Sequence, residues 1–260
     1  HTDIKFGFYT ILLSECKCEA YAYGHQCCDF SDGTLVCLTP GESISMKGNN
    51  KEFPSKGWIL AFHPDLICGT PLGLNIHNYT FFSYCPEEAL HLSLREKQII
   101  LEFLERIRQE LERCIDRHSK KIISKYIELL LDYCTRFYER QFITRSEVNK
   151  KVFREFNYLL DNHFNVKVSL STGVLSDEYC ANLLHLSPAY FNDLLKYEIG
   201  KEFKEYIQFK RFEIAKGWLV NTDKTIGQIA QELGFSNSQY FSRLFKKITG
   251  CSPNEFRMPN

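Results

Sequence analysis

The chain has 260 residues, with 32 Lys and Arg balanced by 32 Asp and Glu, so a scaffold that holds polyanions by bulk charge is excluded and any basic footprint must be local. Hydrophobic residues make up 44%, enough for ordinary globular cores, and the length exceeds that of a usual single domain. There is no transmembrane run and no signal peptide, and the 11 cysteines are scattered without paired spacing, so reduced thiols in the cytoplasm are expected. The sequence opens on His1 without a Met, so its natural N-terminus is read as trimmed.

Residues 1–92 are rich in Phe, Tyr and Cys. Turn signals at Asp32-Gly33, Pro40-Gly41, Gly48-Asn49-Asn50 and Lys56-Gly57 punctuate short apolar runs such as Leu35 to Leu38 and Trp58 to Phe62. That spacing predicts a small β-rich domain, a sandwich or a barrel. Cys16-Lys17-Cys18 and Cys27-Cys28, beside His25, are residue types that ligate soft metals or change redox state, but without C-x-x-C spacing they read better as small buried hydrophobes. His25, His63 and His77 stand alone, so no metal, no cofactor and no catalytic set is expected. Most of the aromatics are expected in the core. Tyr21, Tyr23, Trp58 and Tyr84 pair a flat face with a polar tip and are the candidates for binding a small-molecule effector.

Residues 93–144 are predicted helical. Ser93 and Glu96 form a capping box, and Ile100, Phe103, Leu104, Ile107 and Leu111 recur on one face; a second helix follows Ser119. The stripes serve either a homodimer interface or the first domain's own core, which periodicity alone does not separate. Thr144 and Glu147 offer another capping box, placing a hinge at 141–145 before a helix from Asn149 to Phe164.

The remaining residues carry a repeat. Ser176 is positioned to cap one short helix, while Ser187-Pro188 opens a second with an apolar face of Tyr190, Phe191, Leu194 and Leu195, ended by Gly200. A linker helix with Phe203, Tyr206, Ile207, Ala215 and Leu219 on one side leads to the second copy. There Thr225 caps Ile226 to Leu233, Gly234 closes that helix, and Ser236 or Asn237 caps the next one. Tyr240, Phe241, Leu244, Phe245 and Ile248 are expected to form the buried face of that helix, before Gly250 ends it and Ser252-Pro253 starts another. The opposite face carries Ser238, Gln239, Ser242, Arg243, Lys246 and Lys247. These are side chains that hydrogen-bond base edges or phosphates.

Ile-Gly-Gln-Ile-Ala-Gln-Glu-Leu-Gly-Phe at 226–235, Tyr240 through Lys247, and Gly250 through Arg257 together closely resemble the signature of the AraC/XylS family of bacterial transcription regulators. The likeness covers roughly the last 110 residues, and Arg211 and Ala215 fall where the family has its linker-helix Arg and Ala. It implies an α+β multidomain chain: a cupin-like regulatory domain over 1–92, a helical dimerisation or connector segment over 93–144, and an all-α double helix-turn-helix domain over 145–260 with units at about 176–200 and 226–250. The run Asp32 to Glu42 is similar to the family's cupin-like domain, but lacks a His-x-His run.

The resemblance also implies double-stranded operator DNA as partner, with a small-molecule effector, a homodimer and RNA polymerase as further partners and no membrane. Base contacts would come from Ala189, Asn192, Asp193, Ser238, Gln239, Ser242 and Arg243, and phosphate contacts from Ser187, Lys196, Ser236, Lys246 and Lys247. The linker helix would hold the two recognition helices about 34 Å apart for successive major grooves. Asp193 stands where a basic residue is frequent, and either accepts from cytosine N4 or pairs with Lys196 one turn on. Two other classes remain open: a sensor acting mainly by protein contact with weak DNA binding, and a cupin-like enzyme fused to a DNA module, for which no acid-base set is visible.

Overall fold

The computed structural model describes residues 4–5, 7–15, 24–44, 56–165 and 175–258. Cys16, Cys18, Tyr21 and Tyr23 therefore lie outside the described residues. The chain divides into two compact units, one of His1–Asn149 with Leu186–Leu194, the other of Lys150–His185 with Leu195–Asn260.

In the first unit, β1 (Ile4–Lys5) pairs with β4 (Ser43–Ile44), while β2 (Tyr9–Ser14), β3 (Gly33–Leu38), β5 (Gly57–Phe62) and β6 (Leu90–Leu92) form an antiparallel sheet in the order β5-β2-β3-β6. The central β3 is buried at every residue, whereas the edge strand β5 is exposed at every second residue until Phe62. The two runs do not differ in composition, since Leu35-Val36-Cys37-Leu38 and Trp58-Ile59-Leu60-Ala61 are both apolar throughout; what differs is position, β3 lying between β2 and β6 and β5 at the sheet's edge. Short helices α1 (Pro64–Ile67) and α2 (Pro71–Asn75) follow, each entered through a proline in its first turn.

Two longer helices complete this unit, α3 (Leu94–Leu111) and α4 (Ser119–Thr144). The Ser93–Glu96 capping box is present at the start of α3. Ile100, Leu104 and Ile107 are 0%, 4% and 2% exposed, and Phe103 sets its ring 5.5 Å from Tyr133 of α4. Ile100, Leu104 and Ile107 of the α3 stripe thus face the chain's own core, while Leu111 at its end is 54% exposed. Near the end of α4, Gln141 accepts from the His91 amide at 2.8 Å and donates to the Ala89 carbonyl at 3.0 Å, while Arg140 donates to the His91 carbonyl at 2.7 Å. These bonds satisfy backbone groups of β6 at the sheet's edge.

Thr144, expected to cap the next helix, is instead the last residue of α4. Thr144 closes α4 with its hydroxyl donating to the Gln141 carbonyl, and Arg145 alone separates it from α5 (Ser146–Asn165). Arg145 has a partner that anchors it there. Its guanidinium donates to both oxygens of Asp29, at 2.9 and 2.5 Å, and to the Gly24 carbonyl at 3.2 Å, and neither side chain of the pair is more than 6% exposed.

The second unit is helical: the greater part of α5, then α6 (Asp177–Leu183), the end of α7 (Pro188–Ile199), α8 (Phe203–Asn221), α9 (Ile226–Glu232), α10 (Ser238–Thr249) and α11 (Pro253–Arg257). The repeat seen in the sequence recurs in the backbone. Leu184 ends α6 at φ −90°, ψ 2° and Leu233 ends α9 at φ −85°, ψ 3°, and each is followed by a left-handed residue, His185 at φ 57° and Gly234 at φ 75°. Glycine takes that conformation freely; a histidine there stores about 1–2 kcal/mol. His185→Gly is therefore expected to stabilise the second unit by about 0.5–1 kcal/mol after the added entropy of the unfolded chain is subtracted. A lowered urea midpoint would contradict this.

Candidate nucleic-acid interface

The second helix-turn-helix is assembled from local signals. Thr225 and Gln228 cap α9 reciprocally, the Phe235 amide donates back to the Ala230 carbonyl at 2.9 Å, and the Asn237 side chain accepts from the Tyr240 amide to start α10. Asn237, of the two candidates, is the cap; Ser236 sits exposed in the turn. Phe241 and Phe245 are fully buried, with Phe212 of α8 at 6.1 and 6.0 Å from their ring centroids and Phe256 of α11 at 5.5 Å from Phe245. The buried stripe is narrower than expected: Tyr240 and Ile248 are 43% and 51% exposed. They flank the Phe241–Phe245 line, where α8 and α11 no longer reach over the helix.

This packing fixes what α10 shows to solvent. Gln239, Arg243, Lys246 and Lys247 are exposed, and Ser238 and Ser242 are half-buried between them and the core. The Arg243 guanidinium lies 5.9 Å over the Tyr240 ring, and no carboxylate in the described residues pairs with it. A planar fork held by an aromatic and left without an acid keeps its donors for a planar acceptor. Gly250 at φ 86° ends the helix one turn after Lys246, whose carbonyl takes the Gly250 amide.

The first recognition helix is arranged differently. Ser187, Ala189, Asn192 and Asp193 fall in the stretch Leu186–Leu194 that belongs to the first unit, and Lys196 in the exposed part that belongs to the second. Ser187 caps α7 through the Tyr190 amide but is itself buried, its own amide and hydroxyl donating to Glu88 at 2.6 and 2.5 Å. Burial pushes the Glu88 carboxyl up, with the Ser187 and Cys85 bonds working against that rise. Asp193 accepts from the hydroxyls of Thr80 at 2.5 Å and Tyr84 at 2.7 Å; Lys196 is not its partner. Tyr84 is 7% exposed with its polar tip on Asp193, so the feature that made it an effector candidate is already engaged. Glu88 and Thr80 carry no sequence signal that links them to α7, which lies about a hundred residues on.

Trp58 is half-buried beside a surface groove of about 480 Å³ shared with Gln98, Glu102, Arg106 and Gln109 of α3. Among the described residues no three His, Cys, Asp or Glu side chains converge as metal ligands, and Cys27 and Cys28 are free and exposed. Burial pushes the thiols of Cys37 and Cys134 up, which makes them inert core residues. No described helix is long and apolar enough to cross a membrane.

Two short helices joined by a tight turn, the second with an aromatic core face and a polar, cationic outer face, define a helix-turn-helix DNA-binding module. Residues 180–258 match the family model described as a helix-turn-helix domain. A Bacillus subtilis (strain 168) protein, the uncharacterized HTH-type transcriptional regulator YtdP, is 33% identical over 112 residues, 43% of this chain and 14% of its own length. The arabinose operon regulatory protein of Salmonella typhimurium is 32% identical over 101 residues, 39% of this chain and 32% of its own. The uncharacterized HTH-type transcriptional regulator YijO of Escherichia coli (strain K12) is 24% identical over 225 residues, 86% of this chain and 76% of its own. Through residues 180–258 the chain carries a helix-turn-helix domain of the AraC type. It spans 14% and 21% of the first two curated relatives, so the likeness to them is one of domain and not of whole proteins.

Proposed function

We propose that this chain regulates transcription by reading operator DNA, with α10 as the principal recognition helix and an effector acting through residues 1–92. The observation that carries this reading is that Phe241 and Phe245 are fully buried while Gln239, Arg243, Lys246 and Lys247 stand exposed on the opposite face. Arg243 presents its fork to guanine and Gln239 its amide to adenine, Ser238 and Ser242 contribute at base edges, and Ser236, Lys246 and Lys247 hold phosphates. In α7 the corresponding readers Ala189, Asn192 and Asp193 are half-buried, which supports assigning most of the affinity to α10. The groove beside Trp58 supports effector binding in the sheet domain, whose cupin-like identity is part of this reading. Exposed Leu111, Ile122 and Leu129, at 54%, 37% and 44%, support a homodimer through the α3–α4 segment, and RNA polymerase is the partner such a regulator would address.

The test separates base reading from anchoring. Arg243→Ala is expected to cost about 1–3 kcal/mol against the preferred site and to relax selection at one base pair, whereas Lys246→Ala weakens every duplex alike. Binding to a randomised duplex pool gives both results in one measurement. Two variants with the same sequence dependence would reject the division of roles, and a wild-type chain with no salt-dependent duplex binding would favour a regulator acting by protein contact.

A further inference from the structure

A pocket of about 360 Å³ lies in the second unit between the linker helix α8 and the turn that opens α10. One wall carries Lys204, Gln208 and Arg211, spaced i, i+4, i+7 on a single face of α8, and the other carries Ser236 and Tyr240. Its charge is one-sided. Lys204 is exposed with no carboxylate partner among the described residues. Arg211 is half-buried with its guanidinium 5.8 Å over the Phe235 ring, and its Nε is buried without any hydrogen-bond partner. Gly234, left-handed and without a side chain, leaves the guanidinium uncovered on that side: a Cβ built there would stand 3.6 Å from Arg211 Nη2.

A half-buried cation with no acid and an orphaned donor is costly by itself, and an anion in the pocket would offset that cost. Burial pushes the Arg211 pKa down, and its charge, after burial, helps push His163 down as well. The remaining polar groups of the pocket, an amide and two hydroxyls, are donors to oxygen. The pocket also lies at the N-terminal end of the twelve-residue α10, where the helix dipole adds positive potential.

We propose that Lys204, Gln208 and Arg211 of the linker helix form, with Ser236, a phosphate-binding pocket, and that its occupant is a backbone phosphate of the duplex read by α10. The choice of DNA over a free phosphate compound rests on the reading of α10 as the recognition helix, since Ser236 and Tyr240 place the pocket beside Gln239 and Arg243. The linker helix is then a positioning element that sets the depth and register of α10 against the strand.

The experiment uses the full chain and two variants, Arg211→Met, which keeps an apolar stem over Phe235, and Lys204→Ala at an exposed position. Each is expected to reduce the slope of log affinity against log salt by about 0.9, the share of one phosphate, with the same loss on every duplex sequence. The thermal midpoint of free Arg211→Met is expected unchanged or raised, because an unpaired charge leaves a half-buried position. Unchanged slopes for both variants overturn the proposal, as does a slope that changes for Arg211→Met only together with a lowered midpoint. Inorganic phosphate supplies the second arm. If the wild type binds no duplex but is protected by phosphate against heat, and the variants are not, the pocket holds a free phosphate and the DNA source is rejected. No duplex binding and no protection rejects the pocket and the α10 reading together.

Discussion

Asp29→Asn is expected to lower the stability of the first unit by about 3–5 kcal/mol, the cost of leaving a buried guanidinium without its acid. The Asp29 side chain is 0% and the Arg145 side chain 6% exposed, and Asp29 accepts from Arg145 through both oxygens, a geometry that a side-chain amide cannot reproduce. Burial raises the Asp29 carboxyl, but the hydrogen bonds and charge of Arg145, with the Gln26 amide and the His91 charge behind them, outweigh it and hold the group below its ordinary value of 3.8. A carboxyl depressed in the folded state gives stability that is fully present above the unfolded value and is lost as pH falls through the folded one. The gap between wild type and Asp29→Asn should therefore be constant from neutral pH down to about 4 and close below that. Urea unfolding followed across this range measures it, and a gap under about 1 kcal/mol at pH 7 would mean that water replaces the ion pair.

The second large effect belongs to the other unit. Phe241→Ala should cost about 3–5 kcal/mol, because the ring is fully buried among Phe212, Phe235 and Phe245, with centroids 6.1, 5.1 and 5.6 Å away, and no neighbour is placed to fill the gap. Since α10 packs on α8 and α9 through this ring and Phe245, the substitution is expected to loosen the presentation of Gln239 and Arg243 and to abolish base preference before it abolishes helicity. Tyr240→Ala, one residue away and 43% exposed, is the control, with an expected change below about 1 kcal/mol. Equal losses for the two variants would show that the stripe is as wide as the sequence suggests.

That comparison shows what the sequence made legible. Caps and terminators were, because they act over three or four residues: Ser93 with Glu96, Thr225 with Gln228, Ser252 with Glu255, and Gly200, Gly234 and Gly250 all take the roles their neighbours imply. The width of a buried face was not, since Tyr240 and Ile248 are apolar at the right spacing and only α8 and α11 decide which residues of α10 they cover. Thr144 and Glu147 have the spacing of a capping box, yet Thr144 ends α4, with Arg145 between it and the start of α5. The bonds of Asp193 to Thr80 and Tyr84, like those of Arg145 to Asp29, join residues more than a hundred positions apart, and no periodic pattern records such partners.

The Arg145 bonds have a consequence for how the first unit opens. The guanidinium is held by Asp29 and by the Gly24 carbonyl, 116 and 121 positions earlier in the chain, so the segment over 24–29 and the end of α4 share one fastening. Neither can fray without stranding a buried charge, and the two therefore open as a single cooperative step, late in the order in which this unit exposes its backbone to solvent.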